Sequence, residues 1–565
     1  MALRTLNKAS RFAITYNPSS NAGGGFGYGV IASSLFDNAD DAKELRDSVE
    51  GLIEQSGNKM PNASKKFKGM RELMVPGGKL MFGAREQAKG GTYDVVFGTV
   101  GENIDAPFAA IPKATIEGLQ TVVNGTFDFA PLAPLASMAQ MGISQVANQG
   151  GIKPPNLVTE LTAMGIIGDD AMRGHFELGY TADSSRFRVT VENAIGTLNA
   201  MGTGTGRVTE KDLAAIPADA ISASMGLASP DSLSQIIAKL RKQGLPVDEF
   251  LGKFEEITEV NLEKELLPSL GGVGGMYSSD STGGGGLLSY VALLQFKDRG
   301  MFMSAHEKLV KAARSIIRQQ GREMAKYIRL RSWDIDGTKA FTLTTPGVPI
   351  PLEFSYAATD KFLIAGLTPQ AVIGAVRQAT GKGDKGILSR GDIRLVDAGK
   401  QELLSFSFGD TARLMKTGYG MLSLAGSAIS NGVRSPGDKS REPGAIIPAF
   451  HDLSKGVKPS VSISYRSGKN LIMESASDRS VLAGLCGAMG GMADWLPLVG
   501  LGAAGAVEQR KAGGNGFMSG LPFALPADSR QLAQGVLLFD EAVQGVSLRS
   551  ILMRGGSAAA AFAGK

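Results

Sequence analysis

Cysteine is almost missing from this chain of 565 residues: Cys486 stands alone. That excludes an internal disulfide framework and any cluster of thiolate metal ligands. Histidine is scarce as well. His175, His306 and His451 leave little material for a nucleophile–base–acid triad or a zinc site. No H-E-x-x-H, G-x-S-x-G or G-x-x-x-x-G-K-[ST] occurs anywhere, so zincin, α/β-hydrolase and P-loop chemistries have no signature here. A strong net charge is lacking too. The balance of 59 basic against 54 acidic residues leaves +5, too small an excess to argue for nucleic acid, which needs a clustered basic face. The start, MALRTLNKASRFAITYNP, has only a short apolar run at Phe12–Tyr16 and is not expected to be a complete signal peptide. One cysteine does not fix the compartment, because cytosolic and envelope proteins are both often poor in it.

Glycine is what the chain has in excess. Its 75 residues are about twice average usage, without a collagen period. With 43% apolar and 20% charged residues, the chain is globular rather than disordered, and its length favours about three or four domains. The spans expected are an irregular Gly-rich region with one or more helices over 1–155, α+β domains over 156–330 and 331–480, and an apolar helical segment with a tail over 481–565.

A repeated unit supports the α+β class: apolar strand, polar turn, amphipathic helix. In ADAISASMGLASPDSLSQIIAKLRKQG the strand is Ala220–Met225, with Ser229 as N-cap and Pro230 at the first helical position. Leu233, Ile236, Ile237 and Leu240 share one helical face, and Gly244 stops the helix. In PLEFSYAATDKFLIAGLTPQAVIGAVRQATGKG two strands flank Ala358–Lys361, and Thr368-Pro369 opens a helix. KPSVSISYRSGKNLIMESASDRSVLAGLCGAMGG repeats the plan, and Asp336-Gly337 supplies the tight turn of a further hairpin. Near the start, Asn38 caps a helix running to about Gln55. The units predict antiparallel sheets faced by helices, followed by a Gly/Ala-rich apolar C-terminal segment.

Glycines crowd the stretch LLPSLGGVGGMYSSDSTGGGGLLSYVALLQFKD, Leu266–Asp298. A dinucleotide loop needs strand, G-x-G-x-x-G, then helix. Here Tyr277 stands where the third glycine belongs and a strand follows, so strands over Val273–Ser279 and Leu287–Phe296 joined by DSTGGGG are expected instead. The passage LAAIPADAISASMGLASPDSLSQIIAKL, this glycine stretch with its following FKDRGMFMSAHEKLVKAA, and AIIPAFHDLSKGVKPSVSISYRSGKNLIMES together resemble an uncharacterised family of large bacterial exported or envelope-associated proteins. The resemblance covers about Thr159–Asp478. It implies an envelope or extracellular setting, and it brings no activity, cofactor or site residue.

The remaining constellations are weak as chemistry. His306-Glu307 and His451-Asp452 are adjacent on helices and do not face each other, which favours surface or satisfied histidines. Asp334-x-Asp336-Gly337 lacks the distal glutamate of a calcium loop and is a turn. Glu255, Glu259 and Glu263 form an i, i+4 row that reads as a solvated helix face. From Ser304 to Tyr327 a helix is expected to carry Lys308, Lys311, Arg314, Arg318, Arg322 and Lys326 as a basic stripe, a candidate contact for an anionic surface. Val481–Val507 is long enough to span a bilayer and contains Gly487-x-x-x-Gly491, but Asp494 and Pro497 interrupt it. Two short buried helices fit it better, with membrane contact as the alternative.

The expected function is a non-enzymatic structural or interaction scaffold of the bacterial envelope or extracellular space, partnered by itself as a homo-oligomer or by an envelope component. A carrier for an apolar, lipid-like ligand is the alternative, and an enzyme of unrecognised type the third reading. No catalytic residue, metal or cofactor is expected, and the charge balance argues against nucleic acid.

Overall fold

A computed structural model describes residues 10–16, 28–55, 59–75, 78–87, 90–98, 100, 103–109, 113–149, 156–168, 171–194, 206–228, 230–242, 246–320, 329–344, 353–393, 402–433 and 446–493. The protein is α+β. All its strand pairings are antiparallel among the described residues, and they build two sheets with helices packed on them.

The first sheet holds β1 (Ser10–Tyr16), β2 (Tyr28–Phe36), β3 (Asn62–Ala63), β4 (Met70–Val75), β5 (Gly78–Glu86) and β6 (Gly91–Gly98), in the order β1-β2-β6-β5-β4-β3. The N-terminal span is thus more regular than its glycine punctuation suggests. The signal is faint because β5 and β6 are buried on both faces for part of their length, which erases the period of two. Helix Ala39–Gln55 begins where expected, with the Asp40 amide donating 2.8 Å to Asn38 Oδ1. Its Leu45, Val49 and Ile53 cover Phe82, Ala84 and Tyr93 on one face of the sheet. The opposite face packs Ile31, Met70, Met81 and Val96 with Val100 and Ile104.

The second sheet has thirteen strands. Its strands are β7 (Gln120–Asp128), β8 (Arg173–Tyr180), β9 (Ser185–Glu192), β10 (Ala220–Leu227), β11 (Leu270–Ser279), β12 (Val291–Phe296), β13 (Arg329–Ile335), β14 (Thr338–Thr344), β15 (Ser355–Ala358), β16 (Phe362–Gly366), β17 (Glu402–Gly409), β18 (Ser460–Ser467) and β19 (Asn470–Ser477). Their order is β13-β14-β15-β16-β12-β11-β10-β17-β18-β19-β9-β8-β7, so the sheet draws on 1–155, 156–330 and 331–480 alike. The main core lies on one side of it. Met225, Tyr277, Leu293, Ile364, Phe362 and Phe406 are buried there under helix Pro369–Ala379, which supplies Val372, Ala375 and Val376.

Local chemistry explains why the hairpin–helix units form. Asp336 and Gly337 take φ of 52° and 93°, the two positive values that a type I′ turn requires. Thr368 caps Pro369–Ala379 by accepting from the Ala371 amide at 3.3 Å, worth about 1 kcal/mol. In the glycine-rich stretch, Gly275 sits where a Cβ would lie 2.5 Å from the Ser224 carbonyl oxygen. That close approach leaves no room for a side chain. The second strand starts at Val291 rather than Leu287, because Leu287–Ser289 closes a 3₁₀ turn through the Ser289 amide to the Gly286 carbonyl at 3.1 Å. Helix Val481–Ala493 packs on helix Thr411–Val433, and Gly418 and Gly490 bring the two backbones together. Gly491 of the expected Gly-x-x-x-Gly pair faces open space instead. Among the described residues no helix is long and apolar enough to cross a membrane. Residues 494–507, and the rest of the apolar C-terminal segment, lie outside the described residues.

Candidate anion-binding groove

The long helix Arg299–Gln320 follows β12 and is started by Asp298, whose carboxylate accepts from the Met301 amide at 2.9 Å. Its first turns are anchored by aromatic packing. Phe302 lies 4.7 Å from Phe296, His306 meets Phe341 at 4.8 Å and Tyr356 at 5.6 Å between ring centroids, and Phe341 stacks on Tyr356. Phe341 of β14 and Tyr356 of β15 are directly paired in the sheet register. This cluster fixes the helix against the sheet near the β13–β14 hairpin.

Between the helix and β14 lies an open groove of about 570 Å³, within the size range of small-ligand sites. Met303, His306, Glu307, Val310 and Phe341 line it, with the cations Lys311, Arg314, Arg318 and Lys339. Helical spacing of three and four puts the helix residues on one face, and Lys339 reaches in from two residues before Phe341 on the same face of β14.

The basic stripe read from the sequence divides here. Lys308 turns to Glu265 at 2.8 Å, outside the groove lining. Lys311 reaches Glu259 at 3.2 Å between two exposed side chains. Among the described residues, no carboxylate pairs with Arg314, Arg318 or Lys339. Asp334 stands opposite Lys339 in the hairpin register, but its carboxylate accepts from the Gly337 amide at 2.8 Å. Arg322 and Lys326 lie outside the described residues. The acidic row also resolves differently from a single helix face: helix Val247–Thr258 ends at Glu259, which takes a φ of 57°, and Glu263 belongs to the next turn, where it pairs with Arg241 at 3.0 Å.

His306 is neither a surface histidine nor a fully satisfied one. It is 7% exposed, its Nε2 lies 3.0 Å from the Tyr356 hydroxyl, and its Nδ1 has no hydrogen-bond partner among the described residues. Burial, and then the charge of Lys339, hold its imidazole below the ordinary value, while Glu307 pulls weakly the other way. Burial pushes Tyr356 up to about 12, so its hydroxyl keeps its proton at neutral pH.

Sequence reading grouped the helix cations but missed Lys339, Tyr356 and the role of His306. Lys339 and Tyr356 come from other strands, and only pairing brings them to the helix. One signal was present: His306, Val310 and Arg314 fall at i, i+4 and i+8, on the stripe itself. No metal-ligand cluster of three or more acidic, histidine or cysteine residues occurs among the described residues. In comparisons with family models, curated proteins and solved structures, nothing matches this chain. The groove therefore has to be read from its own chemistry.

Proposed function

We propose that the protein is a non-enzymatic interaction scaffold that engages an anionic partner through this groove. The observation that carries the reading is the convergence of Arg314, Arg318 and Lys339 on one cavity, where none of the three forms an ion pair among the described residues and Glu307, also in the lining, pairs with none of them. Unpaired cations around a concave surface attract anions and hold them more strongly than a flat surface does. The buried acids support the non-catalytic part. Asp94, Asp212 and Glu474 bond to arginine or lysine, and Glu177 accepts from the Thr115 amide and hydroxyl. None of them lines the groove.

A second surface fits an interaction role. On the first sheet, Phe12 and Ile14 are 65% and 66% exposed. Register carries this face through Val30 and Ala32 to Val95, Phe97 and Leu73, which are also exposed. Contiguous apolar patches of this kind mark contact surfaces. The envelope or extracellular setting is part of the proposal, and its support is the resemblance of Thr159–Asp478.

Calorimetric titration with inorganic pyrophosphate at pH 8 tests the reading. The wild type should bind, the R314A/R318A double variant should bind at least about tenfold more weakly, and phosphorus NMR should find the pyrophosphate unchanged. Equal binding by both proteins, or none by the wild type, would refute the groove. Turnover would refute the non-enzymatic scaffold.

A further inference from the structure

Two features of the groove go beyond a general attraction for anions. The first is how the cations are placed. Arg314 and Arg318 are one helical turn apart on one wall and Lys339 stands on the other. A carboxylate offers two oxygens in a plane, which suits one guanidinium. Three cations from two walls match an anion whose oxygens point in several directions.

The second feature is His306. Its ring is held by packing against Phe302, Phe341 and Tyr356 rather than by a hydrogen bond at Nδ1. Among the described residues no partner on that nitrogen fixes its protonation state, so the local field decides it. Lys339 of β14 and Glu307 of the helix act on it with opposite sign, the Tyr356 hydroxyl of β15 contacts Nε2, and Arg314 lines the same groove. Burial disfavours a positive imidazole, and the charge of Lys339 opposes it as well. An anion seated on Lys339 cancels the repulsion.

Resting on the anion-binding reading above, we infer that the groove takes a tetrahedral oxyanion of the phosphate or sulfate class at Arg314, Arg318 and Lys339, and that His306 takes up a proton when the anion binds. Protonation makes both ring nitrogens donors, and the Tyr356 hydroxyl then turns to accept from Nε2. The sign follows from linkage. The bound state holds the proton more tightly than the free state, so affinity rises as pH falls through the window between the bound and free His306 midpoints.

Inorganic sulfate is the right probe, because it does not titrate near neutrality and any proton uptake belongs to the protein. With three histidines in the chain, the His306 ring signal is assignable in proton NMR of the intact protein by comparison with H306Q. Sulfate, against chloride at equal ionic strength, should raise the His306 midpoint by about one pH unit, and affinity should gain up to about tenfold across that window. In R314A/R318A, whose changes are on exposed side chains, the midpoint should stay where it is in chloride. Sulfate binding with an unmoved His306 overturns the proton coupling and leaves the anion reading standing. No sulfate binding and no shift overturn both.

Discussion

Two kinds of charge cluster in this molecule use the same side chains to opposite ends. In the first sheet, Asp94 is fully buried and accepts from Ser33, from Thr92 at 2.9 Å and from Arg85 at 2.5 Å. Arg85 passes on to Asp105, which Arg11 also holds at 2.9 Å. On the core face of the second sheet, Glu474 binds Arg186 and Arg188, and Glu177 is held by the Thr115 amide and hydroxyl. Every carboxylate there has its cation or donor, although among the described residues the Nε of Arg186 and of Arg188 lacks a partner. Beside the long helix, Arg314, Arg318 and Lys339 are exposed, and among the described residues none of them forms an ion pair, although Glu307 lines the same groove. A desolvated charge left unmatched within the fold costs several kcal/mol, about 3–5 when one partner of a buried pair is removed. Solvated charges around a cavity are under no such demand, so their lack of ion pairs has no structural cost and leaves them open to an outside anion.

This contrast predicts a steep gradient of stability effects. The largest belongs to Asp94. D94A leaves the Arg85 Nε and the Ser33 and Thr92 hydroxyls without their acceptor in the sheet interior, while Arg85 keeps Asp105, and should cost about 3 kcal/mol. Urea unfolding measures the loss, and hydrogen exchange should place it in β2, β5 and β6. Glu474 comes next. E474Q keeps the shape but removes the anion facing two arginines, for about 2 kcal/mol; a stability equal to wild type would break the comparison. Asp105 gives the third effect through pH. Burial alone would raise its carboxyl, but hydrogen bonds from Arg85, Gln87 and Arg11 carry it from the ordinary 3.8 down to about 2. An acid with a depressed folded value stabilises above its unfolded value, and that stability drains away as pH falls from about 4 to about 2. Its side chain is 35% exposed, so solvent screening reduces the effect to about 1 kcal/mol. In D105N the slope of stability against pH should flatten in that window.

Much of the fold is legible in the sequence because its signals are local. Asn38, Thr368-Pro369 and Asp336-Gly337 act within four residues of themselves, and each marks a cap or turn at the position the residue type demands. The sheet order is not local. Gln120–Asp128 becomes an edge strand next to β8, and β9 joins β19 across almost three hundred residues; neither partner can be read from periodicity. The groove lies between these cases. Its helix cations are visible as a stripe, whereas Lys339 and Tyr356 reach it only through the β13–β14–β15 pairing. Pairing also decides which cations remain unmatched, since Glu265 and Glu259 take Lys308 and Lys311.

The smallest effect is the sharpest test of the contrast. Arg314 and Arg318 are exposed and make no ion pair among the described residues, so R314A/R318A should leave unfolding within about 0.5 kcal/mol of wild type. Removing two like charges from one helix face relieves repulsion and exposes no buried partner, so nothing in the groove depends on them for folding. A loss near that of D94A would mean that these arginines are structural, with an acid of their own, and the distinction between closed networks and open groove would fall. Stability unchanged together with lost pyrophosphate binding would mean that the two arginines serve a ligand rather than the fold.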